Sequence, residues 1–386
     1  MTVKTAARMR LIQPFHVMAL LARARELEAA GRSVIHMEIG EPDFVTPQPL
    51  IDAGIRALQD GRTHYTPATG LWALREKIAG FYQTRYGLAV EPERVVITPG
   101  ASAALQLVLA LLVNSGAQVL LADPGYPCNR NFVHLLNGEP VAVPVDASSG
   151  YQPAPQQVSE YWTDRTRALL VASPSNPTGT LLDDNTLREY YTITGRNGGS
   201  LIVDEIYHGL TYDGPAQTAL AVSDDIFVIN SFSKYFGMTG WRLGSLIAPR
   251  EVIPDIEKLA QNLFLAAPTL AQYAALRAFD DEVIAILDAR RDEFRLRRDY
   301  LLPALREIGF EIPVAPAGAF YLYADCSRFT DDSYSFAERL LEEEGVAVTP
   351  GIDFGSNKPE RHVRFAYTTS LENLQEGVRR LARKPG

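Results

Sequence analysis

Short apolar runs and stretches of helical spacing alternate along most of this chain. Residues 94–98, 118–122, 168–172, 200–207 and 225–230 are rich in valine, leucine, isoleucine and alanine, and chain breakers follow them closely. Runs of that length read as buried strands, because a helix needs a longer periodic pattern. Residues 49–58, 71–86, 101–113, 183–196, 249–261 and 268–279 instead carry the spacing of helices. The run 141–145 predicts an edge strand, since Pro144 has no N–H to give to a ladder.

Past Asp281 the rhythm changes. Residues 281–308 read as one long helix whose arginines form a solvated face, carrying the chain away from the alternating region. Strands follow over 314–325, which holds Phe320, Tyr321 and Tyr323, and over 361–367, with helices over 335–344 and 371–380. At the other end, an amphipathic helix over 15–30 is closed by Gly31 and precedes a short strand over 33–39.

Composition narrows the class. The chain has 386 residues, 46% of them hydrophobic and 22% charged, which is ordinary for a globular protein with room for two domains. A formal net charge of −9 leaves no surplus of positive charge for nucleic acid. Cys128 and Cys326 are the two cysteines; they make neither a disulfide framework nor a metal-ligand spacing, and they suit a reducing, cytoplasmic setting. Lys4, Arg8, Arg10, Arg23 and Arg25 precede the first acid, Glu26, which is the charge bias of an organelle presequence. The segment is poor in serine and interrupted by Pro14, so the helix over 15–30 is the better account. No stretch approaches the length of a membrane span.

Candidate chemistry gathers where predicted strands end. The strand over 225–230 runs into Ser231-Phe232-Ser233-Lys234, with Arg242 eight residues beyond Lys234. An amine set among hydroxyls and a guanidinium suits a phosphate-bearing cofactor held covalently as a Schiff base. Gly100-Ala101-Ser102 turns a strand into a helix whose first amides are free to seat a phosphate. Asn176 stands between Pro174 and Pro177, Tyr126 between Pro124 and Pro127, and Asp204 and Tyr207 lie at the end of the strand over 200–207. Arg364 falls inside an alternating strand, where a charge is expensive unless paired. Each feature alone has a plainer reading: a solvated loop, a capped helix, a core tyrosine, a surface acid pair.

Together they resemble the fold-type I aminotransferases, the pyridoxal-phosphate (PLP) family that includes aspartate aminotransferases. Asp204 follows Asn176 by 28 residues and precedes Lys234 by 30, and Arg242 and Arg364 complete the order. The resemblance implies an α/β fold: a large PLP-binding domain with a mostly parallel sheet over 46–281, and a smaller α+β domain from 1–45 and 282–386. It implies that Lys234 carries PLP, that Asp204 holds the pyridine nitrogen, and that Tyr207 and Asn176 reach the 3′-oxygen. Tyr126 would stack on the ring. Gly100, Ala101, Ser102, Ser231, Ser233 and Arg242 would cradle the phosphate, with Tyr65 reaching the phosphate of a neighbouring subunit. Gly40, Asn176 and Arg364 would meet the substrate carboxylate.

The implied reaction moves an amino group from an L-amino acid to a 2-oxo acid through pyridoxamine phosphate, in a homodimer with shared active sites. A carbon–sulfur β-lyase or a cyclopropane-forming synthase would use nearly the same residues. A non-enzymatic PLP sensor is a further alternative, but the chain length leaves no room for a fused DNA-binding domain. Dicarboxylate-specific relatives can hold the side-chain carboxylate with an arginine after the cofactor lysine. Residues 259–275 contain no basic residue, which leaves Arg130 as a candidate for that contact.

Overall fold

A computed structural model describes residues 3–214 and 216–383. Its strands are β1 (Ile35–His36), β2 (Val95–Thr98), β3 (Gln118–Asp123), β4 (Glu139–Pro144), β5 (Thr166–Ala172) and β6 (Ser200–Asp204). They continue as β7 (Phe227–Ser231), β8 (Gly244–Ile247), β9 (Tyr321–Asp325), β10 (Val346–Ala347), β11 (Thr349–Pro350) and β12 (His362–Ala366). Seven of them form one sheet in the order β2-β8-β7-β6-β5-β3-β4, parallel except for β8, which runs against both of its neighbours.

The apolar runs are continuous because this sheet is buried on both faces. Successive side chains of a strand point to opposite sides, and the core divides accordingly. Leu120, Leu169, Val171, Leu201, Val203 and Val228 join one cluster, packed under the helices Trp72–Tyr86 and Asp184–Arg196. Val119, Leu121, Leu170, Ile202 and Ile229 join the other, under Ala101–Leu112 and Ile253–Leu263. The proline-bearing β4 lies at the sheet edge, as expected.

The remaining strands make a smaller assembly from both chain ends. β12 pairs antiparallel with β9 and β11, while β1 pairs parallel with β10. The helix Asp281–Ile308 is continuous and closes at Gly309 in the left-handed region. Its arginines are not all solvated. Arg297 and Arg298 are buried, and Arg297 reaches Asp43 at 2.8 Å and Glu293 at 3.0 Å, because one side of the helix packs against the chain around Phe44. The helix His16–Ala29 buries Leu20, Ala24 and Leu27. Among the described residues no helix is long and apolar enough to cross a membrane.

Several expected boundaries shift. The strand over 200–207 ends at Asp204, where the backbone enters a turn closed by His208 N–H to the Glu205 carbonyl at 2.9 Å. The run 33–39 yields only the two residues of β1. β8 and the helices Pro127–Leu135 and Pro155–Tyr161 escaped the pattern. β8 is four residues long and opens on a glycine, and each helix begins at a proline, which reads as a breaker although it suits a first helical position.

Gly244 marks where the sheet is tightest. It pairs with Thr98 at the end of β2 and with Ser231 at the end of β7. A Cβ there would stand 2.6 Å from the backbone nitrogen of Ala101 and the carbonyl carbon of Gly100. Backbone atoms cannot swing aside, so Gly244→Ala should destabilise the fold by about 1–3 kcal/mol, the scale of overpacking. Gly240→Ala, which meets nothing within 4 Å, should be close to neutral. Paired denaturation curves check this, and equal stability of the two variants would refute the close-approach argument.

Candidate active site

The carboxyl ends of β2, β6 and β7 open into a cavity of about 310 Å³, the place where open α/β sheets bind ligands. Its wall brings together Ala101, Ser102, Ser231, Ser233 and Arg242 on one side, and Asp204, Tyr207 and Tyr126 beside them. Gly40, Asn176, Lys234 and Arg364 complete it. Residues separated by hundreds of positions thus converge because each follows, or lies within, a strand ending at this cavity.

The phosphate-seat residues converge for local reasons. Gly100 caps the helix Ala101–Leu112 with φ +79°, a conformation that suits glycine, and leaves the first helix amides without intrahelical partners. A Cβ on Gly100 would lie 2.6 Å from Nη2 of Arg242, so the guanidinium rests directly over the turn. Arg242 Nη1 donates to the Thr239 carbonyl at 2.9 Å and points at Ser233 Oγ at 3.5 Å, while Ser233 N–H donates to Ser231 Oγ at 3.0 Å.

Lys234 and Asp204 share a dry environment. Lys234 Nζ donates to the Gly40 carbonyl at 2.7 Å. Burial, reinforced by the Arg364 and Arg242 cations, lowers its ammonium from 10.5 to about 8. Burial raises the Asp204 carboxyl from 3.8 to about 7, against the opposing pull of the Ile206 N–H at 3.2 Å and of Lys234. Tyr207 Oη is 2.9 Å from Tyr321 Oη, and burial pushes both phenols up.

Arg364 is the most exposed to misfit. Nη1 donates to Asn176 Oδ1 at 2.9 Å, and Nη2 donates to the Glu38 carbonyl at 2.6 Å and to Thr349 Oγ1 at 3.1 Å. Its Nε–H is buried without a partner. The plane lies 4.2 Å from the Tyr321 ring centre and 5.0 Å from that of Phe354. The buried cation therefore has neutral partners and one buried donor without an acceptor, in a residue that lines the cavity.

The chain after Asp204 also faces the other way. Glu205 is fully buried; its Oε1 accepts from Ala219 N–H at 2.6 Å and Thr218 Oγ1–H at 3.0 Å. Its Oε2 lies 3.4 Å from His208 Nδ1, which is also 3.0 Å from Tyr86 Oη. Burial pushes the Glu205 carboxyl up and the His208 imidazole down, each toward its neutral form. Sequence reading left Glu205 without a role; here it braces the turn that holds Asp204 and Tyr207.

Three expected residues do not line the cavity: Gly100 lies beneath the Arg242 guanidinium, and Tyr65 and Arg130 lie elsewhere. Tyr65 is 83% exposed in its loop and does not line the cavity of its own chain. Arg130 lines a neighbouring cavity with Gln13 and Asn129, and its Nη2 donates to the Asp353 carbonyl at 2.8 Å. The wall also contains residues that no motif announced: Phe15, Val17, Met18, Tyr321, Thr349 and Asp353. They come from three separate parts of the chain, and nothing in their local pattern says that they meet at one cavity. Among the described residues no cluster of histidine, cysteine, aspartate or glutamate could hold a metal ion.

This donor set fits PLP. An amine lowered to about 8, a carboxyl desolvated beyond its ordinary range, free helix amides under a guanidinium and an idle buried arginine donor match an aldehyde, a pyridinium, a phosphate and a carboxylate in turn. Fold and cavity thus define a PLP-dependent transferase of the two-domain α/β type. The chain belongs to the aminotransferase class I and II family, whose model matches residues 32–381. It is 41% identical over 372 residues to the (5-formylfuran-3-yl)methyl phosphate transaminase of Methanocaldococcus jannaschii, covering 96% of each chain. It is 38% identical over 372 residues to the valine–pyruvate aminotransferase of Mycobacterium tuberculosis, again covering 96% of each. The crystal structure of an aminotransferase from Mycobacterium tuberculosis superposes with a TM-score of 0.95 at 37% identity over 99% of both chains. The protein is a PLP-dependent aminotransferase.

The Asp204 shift has a consequence without cofactor. Between 3.8 and about 7 the folded protein keeps a proton on Asp204 that the unfolded chain has lost, so this group's contribution to stability falls as pH rises through that window. Asp204→Asn removes the loss. In cofactor-free protein, the melting temperature of Asp204→Asn relative to wild type should climb as pH goes from about 4 to about 7.5, and added PLP should reverse the trend. A difference that stays flat with pH would mean that the carboxyl is not held in a dry site.

Proposed function

We propose that the enzyme transfers the amino group of an L-amino acid to a 2-oxo acid, with Lys234 as cofactor anchor and proton carrier and Arg364 as the clamp for the substrate α-carboxylate. The observation that carries this reading is Arg364: a buried guanidinium with neutral hydrogen-bond partners and an orphaned Nε–H, in the wall of the cavity that holds Lys234. A carboxylate supplies the missing acceptor and the missing charge in one group.

PLP, when bound, supplies an electron sink for the pair left at the substrate Cα. The rest falls to the chain. Asp204, paired with the pyridine N–H, gains the cationic partner that its dry site lacks and keeps that proton in place. Tyr207 and Asn176 direct hydrogen bonds toward the 3′-oxygen, and Tyr126 offers its ring face. Arg242, Ser231, Ser233 and the amides around Gly100, Ala101 and Ser102 hold the phosphate. Lys234, its ammonium lowered to about 8, would be the base that takes and carries the proton leaving the substrate Cα. Gly40 lets the Tyr321 ring close against this loop, since a Cβ there would fall 2.2 Å from Tyr321 Oη.

The wider assignment follows the same reading. Tyr65, exposed on its loop, suits contact with the phosphate of a partner subunit in a homodimer. Cys128 and Cys326 are free thiols, which suits the cytoplasm, and a role in amino-acid biosynthesis goes with the transaminase reading. We place the large domain at 46–281 and the small domain at 1–45 and 282–386, with the break at the start of the helix Asp281–Ile308. No observation favours lyase or synthase chemistry, and 2-oxo acid release that depends on an added oxo-acid acceptor separates transfer from cleavage.

Borohydride treatment of the loaded enzyme and peptide mapping should find the pyridoxyl group on Lys234; a label on another lysine would sink the assignment. Arg364→Lys loses the two-pronged pairing, so kcat/KM should fall for every amino acid by the equivalent of about 2–5 kcal/mol, the scale for breaking a buried charged pair. Amines without a carboxylate should be spared, and cofactor affinity should hold, whereas Arg242→Lys should loosen the cofactor. Equal impairment of amines by Arg364→Lys would remove Arg364 from the clamp.

A further inference from the structure

We propose that the preferred amino donor carries an uncharged, apolar side chain, and that Asp353 is the positioning residue that builds the wall selecting it. This rests on the transaminase reading above and concerns the part of the cavity which that reading leaves unassigned. Among the described residues the cations lining the cavity are Lys234, Arg242 and Arg364, and each already has a task. What is left for a substrate side chain is the wall formed by Phe15, Val17, Met18 and Phe354. A second carboxylate placed there would lose its water and meet methyl groups and rings.

That wall is held in place by a specific device. Asp353 is buried, and its two carboxylate oxygens accept the first amides of the helix His16–Ala29: Oδ1 from His16 N–H at 2.8 Å and Oδ2 from Val17 N–H at 2.9 Å. A carboxylate across a helix start satisfies amides that have no partner within the helix and favours the positive end of its dipole. The clamp fixes the entry of the helix, and with it the positions of Phe15, Val17 and Met18. It also sets an acid at the back of the wall, which disfavours an acidic substrate.

Arg130 lies in an adjoining cavity that shares Tyr126, Asn176 and Phe354 with this one. Its Nη2 donates to the backbone carbonyl of Asp353, and it lines the adjacent cavity rather than this one. The basic residue that the sequence offers for a side-chain carboxylate thus commits one N–H to the residue that carries the clamp and is absent from the wall of this cavity. Met18, 55% exposed at the opening, closes the apolar side toward solvent.

The test uses the PLP-loaded enzyme and the absorbance of its cofactor on mixing with single amino acids. Valine, leucine and phenylalanine should each exceed aspartate and glutamate in kcat/KM by about tenfold or more, the range that pocket complementarity reaches without dedicated polar contacts. The unreactive acid 4-methylpentanoate should likewise bind more tightly than glutarate by calorimetry. Met18→Arg should narrow the leucine-to-glutamate ratio by about tenfold by adding a cation to the wall. Asp353→Asn keeps the shape but turns one acceptor into a donor facing an amide; KM for leucine should rise about tenfold with kcat within about twofold and the cofactor spectrum unchanged.

Aspartate or glutamate matching the apolar donors would overturn the proposal while leaving the transaminase reading intact. If no amino acid alters the cofactor absorbance, both readings fall. Asp353→Asn that lowers only the melting temperature and leaves KM for leucine unchanged would reduce Asp353 to a structural residue and overturn the positioning claim.

Discussion

The guanidinium of Arg364 joins three parts of the chain that are far apart in sequence. It bonds Asn176 beyond β5 of the large sheet, the Glu38 carbonyl beyond β1, and Thr349 in β11 of the smaller assembly. A buried cation without a counter-charge is costly, and neutral oxygens offset only part of that cost. The rest of the site is arranged around the deficit. The rings of Tyr321 and Phe354 flank the guanidinium, and its field contributes to lowering the nearby Lys234.

Desolvation sets the chemistry of the remaining groups. Asp204 and Lys234 are drawn from opposite ends of the pH scale toward neutrality, to about 7 and about 8, by the same loss of water. Each is poised for a ligand that restores charge or removes it. On the far side of the same turn, Glu205 and His208 are also driven toward their neutral forms, but hydrogen bonds to Thr218, Ala219 and the neighbouring Tyr86 hydroxyl use them as framework. One five-residue stretch, 204–208, thus sends Asp204, Ile206 and Tyr207 to the cavity and Glu205 and His208 to the core behind it. The alternation explains why mutations at adjacent positions would act through different physics.

Much of this was legible in the chain before folding. Strand ends rich in Gly, Ser, Asp and Lys mark a ligand site because a parallel sheet gathers its carboxyl ends at one edge. That rule, with the spacing of Asn176, Asp204 and Lys234, reached most of the cavity wall. The apolar runs gave β2, β3, β5, β6 and β7 nearly in full, since burial on both faces writes itself into unbroken hydrophobicity. β8 was missed because four residues opening on a glycine carry too little pattern, and its direction could not be read at all.

By itself, the sequence marked most strands of the sheet and the residues at their carboxyl ends, because these depend on local periodicity and residue type, while the cofactor came from the family resemblance that those residues carry together. Tertiary structure decided the rest. That Arg297 and Arg298 are buried rather than solvated, that Arg130 turns to a backbone carbonyl, and that Asp353 clamps a helix start more than three hundred residues away are outcomes of packing between distant segments. A helical pattern states that one side is covered but not by what. The partner of a charge is a property of three-dimensional contact, and no periodicity along the chain encodes it.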